Sequence, residues 1–218
     1  MCIRDSYWAP EDWQAEHIVS VDIADASLLP ENAQSYRDRI ELAIDHHPSQ
    51  TFFARNTCLE ADSAACGEIV YEIIQHLTAL TADIALPLYV AVSTDCGGFQ
   101  YGNTTARTHR IAAALMDVVD VAAVNKTLFR TKSRVRLAME SRMVADMKLF
   151  DHQRVVVMEI PLSLRQEMQA TDADIEELSA LPALVEGTDC GVTLRELRPG
   201  TVKAVSYTHL TLPTNREV

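Results

Sequence analysis

The pattern of apolar and polar residues predicts two strands near the start of the chain. Apolar and β-branched residues alternate over residues 17–23, and a second apolar segment covers residues 41–44. The first segment ends at Asp22, and the second is followed at once by Asp45. A loop and a short helix or turn are predicted between the two strands, and a long connection after the second, over residues 45–66.

A helical period follows and predicts a series of helices. The first two cover residues 63–80, with an apolar inner face, and 82–93, opened by Thr81. A third begins after Thr104 or Thr105 and ends at Met116, and Asp120 caps a shorter fourth that ends at Phe129. Residues 131–150 fit one amphipathic helix with a methionine-rich stripe, which is typical of packing.

Beyond this helix the pattern changes to shorter segments. Strands are predicted at 154–160, 183–187, 190–197 and 200–205, and a helix at 172–181. The fold class is therefore α/β, with a mostly parallel, doubly wound sheet and helices on both of its faces at about residues 15–130. We expect a first domain at 7–130, a connector helix at 131–151 with the boundary near Asp151, and a partial second α/β domain at 152–205.

The two ends of the chain depart from these patterns. Residues 1–6, "MCIRDS", and residues 206–218, "SYTHLTLPTNREV", resemble translated sequencing adapters. A disordered terminus is the ordinary alternative. The adapter interpretation predicts that both segments are non-native and that the natural gene extends beyond them.

Composition narrows the classes of function. The net charge of −12 argues against a basic surface that wraps long nucleic acid. The five cysteines form no C-x-x-C pair, which favours reduced thiols and a cytoplasmic protein. Since no apolar run approaches the ~20 residues of a membrane span, we expect no membrane association.

Acids and imidazoles follow buried segments at three places: Asp22 (with Asp25), Asp45-His46-His47, and Asp95. In an open α/β sheet, ligands bind beyond the carboxyl ends of the strands, so these groups can converge. Carboxylate and imidazole donors suit Mn²⁺ or a similar ion, and two such ions can clamp a phosphoryl group.

Each of these residues also has an ordinary structural explanation. A single aspartate after a strand is most often a turn or cap residue, and adjacent surface histidines are usually solvated. Gly97 and Gly98 either let the backbone approach a ligand or only allow a turn. Because neighbouring side chains diverge in extended backbone, His46 and His47 are expected to play different roles.

Three stretches carry a family resemblance: "IDHHPS", "SAACGEIVYEII" and "VAVSTDCGGFQYGNTT". Over about residues 15–205 the chain resembles the DHH family of phosphoesterases, and within it the branch of bifunctional oligoribonucleases and adenosine-bisphosphate phosphatases. The resemblance implies that Asp22 bridges two metal ions and that His46 and Asp95 bind the second. It implies that Asp45 orients the histidines, and that His47 faces the scissile phosphate as a catalytic and substrate-binding residue. Gly97 and Asn103 are further substrate-binding candidates.

The sequence also departs from the family pattern. The family's first motif, a strand followed by His and an Asp-x-Asp pair, is not found upstream of Asp22, and its Gly-Gly-Gly-His segment is absent. Cys96 and Gln100 stand where the family often has Thr and Arg, which leaves substrate preference open. We therefore expect this chain to bind metal weakly and to hydrolyse little by itself.

The resemblance implies a manganese-dependent enzyme with two Mn²⁺ ions, or Mg²⁺ or Co²⁺ in their place. Its substrates would be short RNA and 3′-phosphoadenosine 5′-phosphate, and homodimers are common in the family that the chain resembles. Three alternatives keep the chemistry and change the substrate to cyclic dinucleotides, single-stranded DNA, or polyphosphate and pyrophosphate. A fourth is a nucleotide-binding module without catalysis.

Overall fold

The computed structural model describes residues 15–208, except the side chains of residues 176, 177 and 208. The adapter interpretation applies to residues 1–6 and 206–218, of which residues 1–6 and 209–218 lie outside this range. The chain divides into two compact units between Thr131 and Lys132.

The first unit is built on a three-stranded parallel sheet. Its strands are β1 (Val19–Val21), β2 (Leu42–Asp45) and β3 (Asn56–Leu59), in the order β1-β2-β3. Val21 lies opposite Ile44, so β1 and β2 end at the same edge of the sheet. Short 3₁₀ helices at Ala26–Leu28 and Glu31–Arg39 connect these two strands. β3 lies inside the segment predicted as a connection, and that part of the prediction was wrong.

Helices follow the sheet in the order that the sequence predicts. They are α1 (Cys66–Leu77), α2 (Ala82–Asp95), α3 (Ala106–Met116) and α4 (Val121–Asn125), which continues into a π-helical turn at Lys126–Arg130. Apolar residues of α1, Cys66 and Ile69, pack against Ile44 of β2. A larger core lies between the helices and includes Tyr89, Val92 and Leu115, each almost fully buried.

The second unit contains a four-stranded mixed sheet. Its elements are α5 (Arg134–Ala145), β4 (Lys148–Phe150), β5 (Val155–Ile160), α6 (Leu162–Glu167), α7 (Asp172–Ile175), a 3₁₀ helix at Glu176–Leu184, β6 (Cys190–Arg198) and β7 (Thr201–Thr208). The strand order is β4-β5-β6-β7, and only the central β5–β6 pair is parallel. Met139 and Met143 of α5 pack in its core with Met158.

Several predicted boundaries need correction here. The helix predicted at 131–150 is shorter, because Lys148–Phe150 pairs with β5 as a strand. Residues 183–187 are not a strand, since Ala183 and Leu184 end a 3₁₀ helix. The final strand extends past residue 205 to Thr208, and Ser206 pairs with Val192. The α/β class is confirmed, while the division into a catalytic and an associated domain stays a prediction.

Candidate metal centre

The carboxyl ends of β1 and β2 place two acids at one edge of the sheet. Asp22 directly follows β1, and Asp45 is the last residue of β2. The Asp22 N–H donates to the Ile44 carbonyl at 2.9 Å, which holds the two strand ends together. Asp22 has φ +63°, a left-handed conformation that is uncommon outside glycine. Backbone held in this region is typical of functional sites.

His46 lies between two carboxylates. Its Nε2 is 3.4 Å from Asp22 Oδ1 and 3.6 Å from Asp95 Oδ2. Its Nδ1 is 3.1 Å from the Ser63 carbonyl oxygen, which can only accept a hydrogen bond. Nδ1 is therefore the protonated nitrogen of the neutral ring, and the lone pair of Nε2 faces the two acids. A backbone carbonyl that fixes the tautomer in this way is the usual partner of a metal-binding histidine.

Asp95 reaches the site from the last residue of α2. Burial raises its pKa, and the negative charge of Asp22 raises it further. The turn after Asp95 is fixed by Asn103, whose Nδ2 donates to the carbonyls of Asp95 (3.1 Å) and Ala64 (3.0 Å). Two acids that repel each other across one imidazole would both be stabilised by a cation placed between them.

Asp45 and His47 form a hydrogen-bonded pair beside this group. Asp45 is fully buried, and its Oδ1 accepts from His47 Nδ1 at 2.7 Å and from the backbone N–H groups of His46 (2.7 Å) and His47 (3.1 Å). Burial opposes ionisation of Asp45, but these hydrogen bonds outweigh it and its pKa is lowered. The bond to Asp45 in turn raises the pKa of His47. Since the His47 side chain is 44% exposed, its Nε2 is the nitrogen that can meet a ligand.

The donor set fits a divalent cation. Ligand atoms of Asp22, His46 and His47 lie within 4.8 Å of one another, and Asp95 Oδ2 lies 3.6 Å from His46 Nε2. His47 Nδ1 is bound to Asp45, so only its Nε2 is left for a ligand, whereas carboxylate oxygens of Asp22 and Asp95 lie 3.4 and 3.6 Å from His46 Nε2. Oxygen and imidazole nitrogen without thiolate suit Mn²⁺ and similar ions. The neighbouring Cys66 Sγ donates to the Ile44 carbonyl at 3.3 Å, and burial, reinforced by the charge of Asp22, raises the pKa of its thiol to about 12.

The remaining candidates have structural roles in this arrangement. Asp25 caps the 3₁₀ helix at Ala26–Leu28 by accepting from Ser27 N–H at 2.8 Å, as its ordinary explanation predicts. Gly97 has φ +55°, and a Cβ there would lie 2.4 Å from the Tyr101 ring. Glycine therefore lets this ring rest on the turn that follows Asp95. That Gly97 and Asn103 also bind substrate stays a prediction.

Sequence reasoning missed two residues of this site. Ser63 holds His46 through its carbonyl oxygen, and any residue type can supply that contact. Gln50 is buried, and its amide is 2.6 Å from Asp45 Oδ2. Its position five residues after Asp45 within "DHHPSQ" was the one available signal.

Two curated proteins that are similar to this chain carry names of the same kind of enzyme. The bifunctional oligoribonuclease and PAP phosphatase NrnA of Thermus thermophilus is 29% identical over 160 residues, which are 72% of this chain and 47% of the relative. A Streptococcus mutans protein named as a probable enzyme of the same kind is 24% identical over 107 residues, 49% of this chain and 34% of its own length. No protein-family model matches the sequence.

A solved structure supports the fold. The exopolyphosphatase-related protein from Bacteroides fragilis superimposes with a TM-score of 0.83 at 20% identity, over 93% of this chain and 61% of that one. The chain thus spans about half the length or less of the curated relatives it matches. These matches agree with the resemblance in the motifs: the chain is similar to bifunctional oligoribonucleases and PAP phosphatases, the branch of the DHH phosphoesterases that its motifs resemble.

Proposed function

We propose that this chain carries part of the active site of a manganese-dependent phosphoesterase. The enzyme releases mononucleotides from short RNA and removes a phosphate from 3′-phosphoadenosine 5′-phosphate (PAP). The observation that carries the proposal is the convergence of Asp22, His46 and Asp95, with His47 held beside them by Asp45. The names of the curated relatives support the two substrates.

Each side chain of the proposed site has its own role. Asp22, His46 and Asp95 hold a divalent cation, which when bound supplies a Lewis acid for the phosphoryl oxygens and for the attacking water. The Asp45 carboxylate holds the His47 ring through Nδ1 and raises its pKa, which favours the protonated ring and leaves Nε2–H for the substrate. In that form His47 Nε2–H donates to a phosphate oxygen, or gives its proton to the leaving oxygen as negative charge develops there. Water attacks phosphorus in line with the leaving group.

The ion and the number of ions are part of this proposal. The three donors favour Mn²⁺, with Mg²⁺ and Co²⁺ as substitutes. A second ion needs ligands beyond those three, and the described residues 15–208 show one cluster of metal donors, Asp22 with His46 and His47. Placement in the cytoplasm fits the unpaired thiols of Cys58, Cys66, Cys96 and Cys190. Homodimerisation stays a prediction.

The test measures binding as well as turnover. Isothermal titration of PAP into the protein, with and without Mn²⁺, is expected to show binding that requires the ion and is lost in His46→Asn. His109→Asn is the matched control, because His109 lies on α3 and stacks on Phe99. PAP binding that is independent of Mn²⁺ and unchanged in His46→Asn would contradict the proposal.

A panel of substrates then decides the chemistry. Because little hydrolysis is expected of this chain by itself, product analysis uses high protein concentration and long incubation, and it should show slow release of mononucleotides from RNA of two to five residues and of inorganic phosphate from PAP. If cyclic dinucleotides, single-stranded DNA, polyphosphate or pyrophosphate are hydrolysed faster, the proposed substrate is wrong and the proposed metal site still stands. Tight nucleotide binding with no product from any substrate would instead favour a nucleotide-binding module.

A further inference from the structure

Gln50 occupies a position between the two loops that supply the metal donors. Its side chain is buried, with 6% of the residue exposed. Its Nε2 lies 2.6 Å from Asp45 Oδ2 and 2.9 Å from the Ile23 carbonyl oxygen. Its Oε1 accepts from the Phe52 N–H at 3.1 Å. The primary amide thus uses both of its N–H donors and its oxygen in one place.

The two acceptors belong to different parts of the site. Asp45 Oδ2 is the carboxylate oxygen that His46 and His47 leave free, so Gln50 completes the hydrogen bonding of that acid. Ile23 directly follows Asp22, the donor with left-handed backbone. One amide group of Gln50 therefore contacts both the backbone next to Asp22 and the Asp45 carboxylate that holds the two histidines.

A second link runs parallel to the first. The N–H of Thr51 donates to the Ala24 carbonyl at 2.9 Å, and Thr51 Oγ1 is 3.3 Å from the same oxygen. Consecutive residues, Gln50 and Thr51, thus bind the consecutive carbonyls of Ile23 and Ala24. This holds the turn after β1 against the loop after β2 and maintains the unusual conformation of Asp22.

The geometry points to Gln50 as a positioning residue that keeps Asp22 in register with His46 and His47 for a divalent cation. This inference rests on the metal site of the proposed function. The role requires two donors on one planar group, which glutamine has. A methionine of similar length has none, and a glutamate would place a second carboxylate against Asp45.

Four variants separate positioning from simple packing. Gln50→Met keeps the volume and removes the donors, and Gln50→Glu adds a like charge. Gln34→Met is the matched control, because Gln34 Nε2 donates to the Leu29 carbonyl at 2.7 Å in the same unit, on the 3₁₀ helix that leads to β2. Ile111→Val, in the helical core, gives a destabilised protein with an unchanged site.

The dissociation constant for Mn²⁺ is measured from the electron paramagnetic resonance signal of the free ion. Residues that support metal ligands typically change the affinity by about 10- to 100-fold, so we expect that weakening in Gln50→Met and a larger one in Gln50→Glu. Gln34→Met and Ile111→Val should stay within about twofold of the parent chain, whatever their thermal stability.

A second measurement needs no metal. In the metal-free protein, NMR follows exchange of the His47 Nδ1 proton with water, which should be slow while Asp45 is held and faster in Gln50→Met. If Gln50→Met keeps both the Mn²⁺ affinity and the slow proton exchange of the parent chain, the inference is overturned. If the parent chain binds no Mn²⁺, or Asp22→Asn binds it equally well, the proposed function fails, and the proton exchange alone decides the role of Gln50.

Discussion

Replacing Asp45 with asparagine tests whether this buried carboxylate organises the site. Asp45 accepts four hydrogen bonds, at 2.6–3.1 Å, from two backbone N–H groups, the His47 ring and Gln50. Asparagine keeps the shape but has one acceptor oxygen and one donor group. Wherever its amide nitrogen is placed, it faces at least one existing donor.

The magnitude follows from these contacts. A hydrogen bond to a charged group contributes about 1.5–3 kcal/mol and a neutral one about 0.5–1.5, so three weakened bonds lose about 3 kcal/mol. The mismatched donor costs about 1–3 kcal/mol more. Removing a fully buried charge returns part of this loss, because its desolvation opposes folding. We therefore expect Asp45→Asn to lower the free energy of unfolding of the first unit by about 2–4 kcal/mol.

The assay is urea unfolding at pH 7. Unfolding is monitored through hydrogen exchange in peptides from β2 and α1, so that the first unit is observed by itself. Asp25→Asn is the control, because Asp25 is a helix cap and asparagine caps equally well. It should change the unfolding free energy by less than about 0.5 kcal/mol. Equal effects of the two substitutions would refute the role given to Asp45.

Two further predictions concern residues around the site. Gly97→Ala should destabilise the protein by about 2–4 kcal/mol, because φ is +55° and the new Cβ would meet the Tyr101 ring. Gly187→Ala is the control, since Gly187 has φ +80° but open space around it, and it should lose only about 1 kcal/mol. Thermal unfolding measures both variants, and equal losses would contradict this prediction. Hydrogen bonding to Arg107 lowers the pKa of Glu60 below its ordinary 4.5. The stability that the ionised Glu60 carboxylate contributes through Arg107 is therefore present above pH 4.5, and it is lost as pH falls through the lowered pKa of Glu60. Urea unfolding of Glu60→Gln should differ from the parent chain at pH 7 and converge with it in acid, whereas a constant difference would refute the assignment.

The pattern of the sequence predicted that the candidate metal donors after β1 and β2 would lie together, because their placement depends on simple geometry. Parallel neighbouring strands end at the same edge, so acids that follow two such strands come together. Asp22, Asp45 and His46 lie as this rule predicts. Asp95 was a candidate because it follows an apolar segment, but its position beside His46 at the end of α2 depends on tertiary contacts that the pattern does not contain.

Other features depend on tertiary contacts that local pattern does not contain. β3 is a strand because Asn56–Leu59 pairs with β2, although its residues are only partly buried and show no alternation. Met147 and Phe150 continue the stripe of the preceding helix, yet pairing of Lys148–Phe150 with β5 overrides helix propensity there. Gln50 was missed because its position near the two histidines does not reveal its contact with Ile23, which lies 27 residues away.

The most direct test of the central claim is anomalous diffraction from crystals of this protein soaked in Mn²⁺. A peak is expected at bonding distance from a carboxylate oxygen of Asp22, from His46 Nε2 and from a carboxylate oxygen of Asp95, and it should disappear in His46→Asn. A manganese peak at other residues, or none at a concentration that saturates binding in solution, would contradict the account.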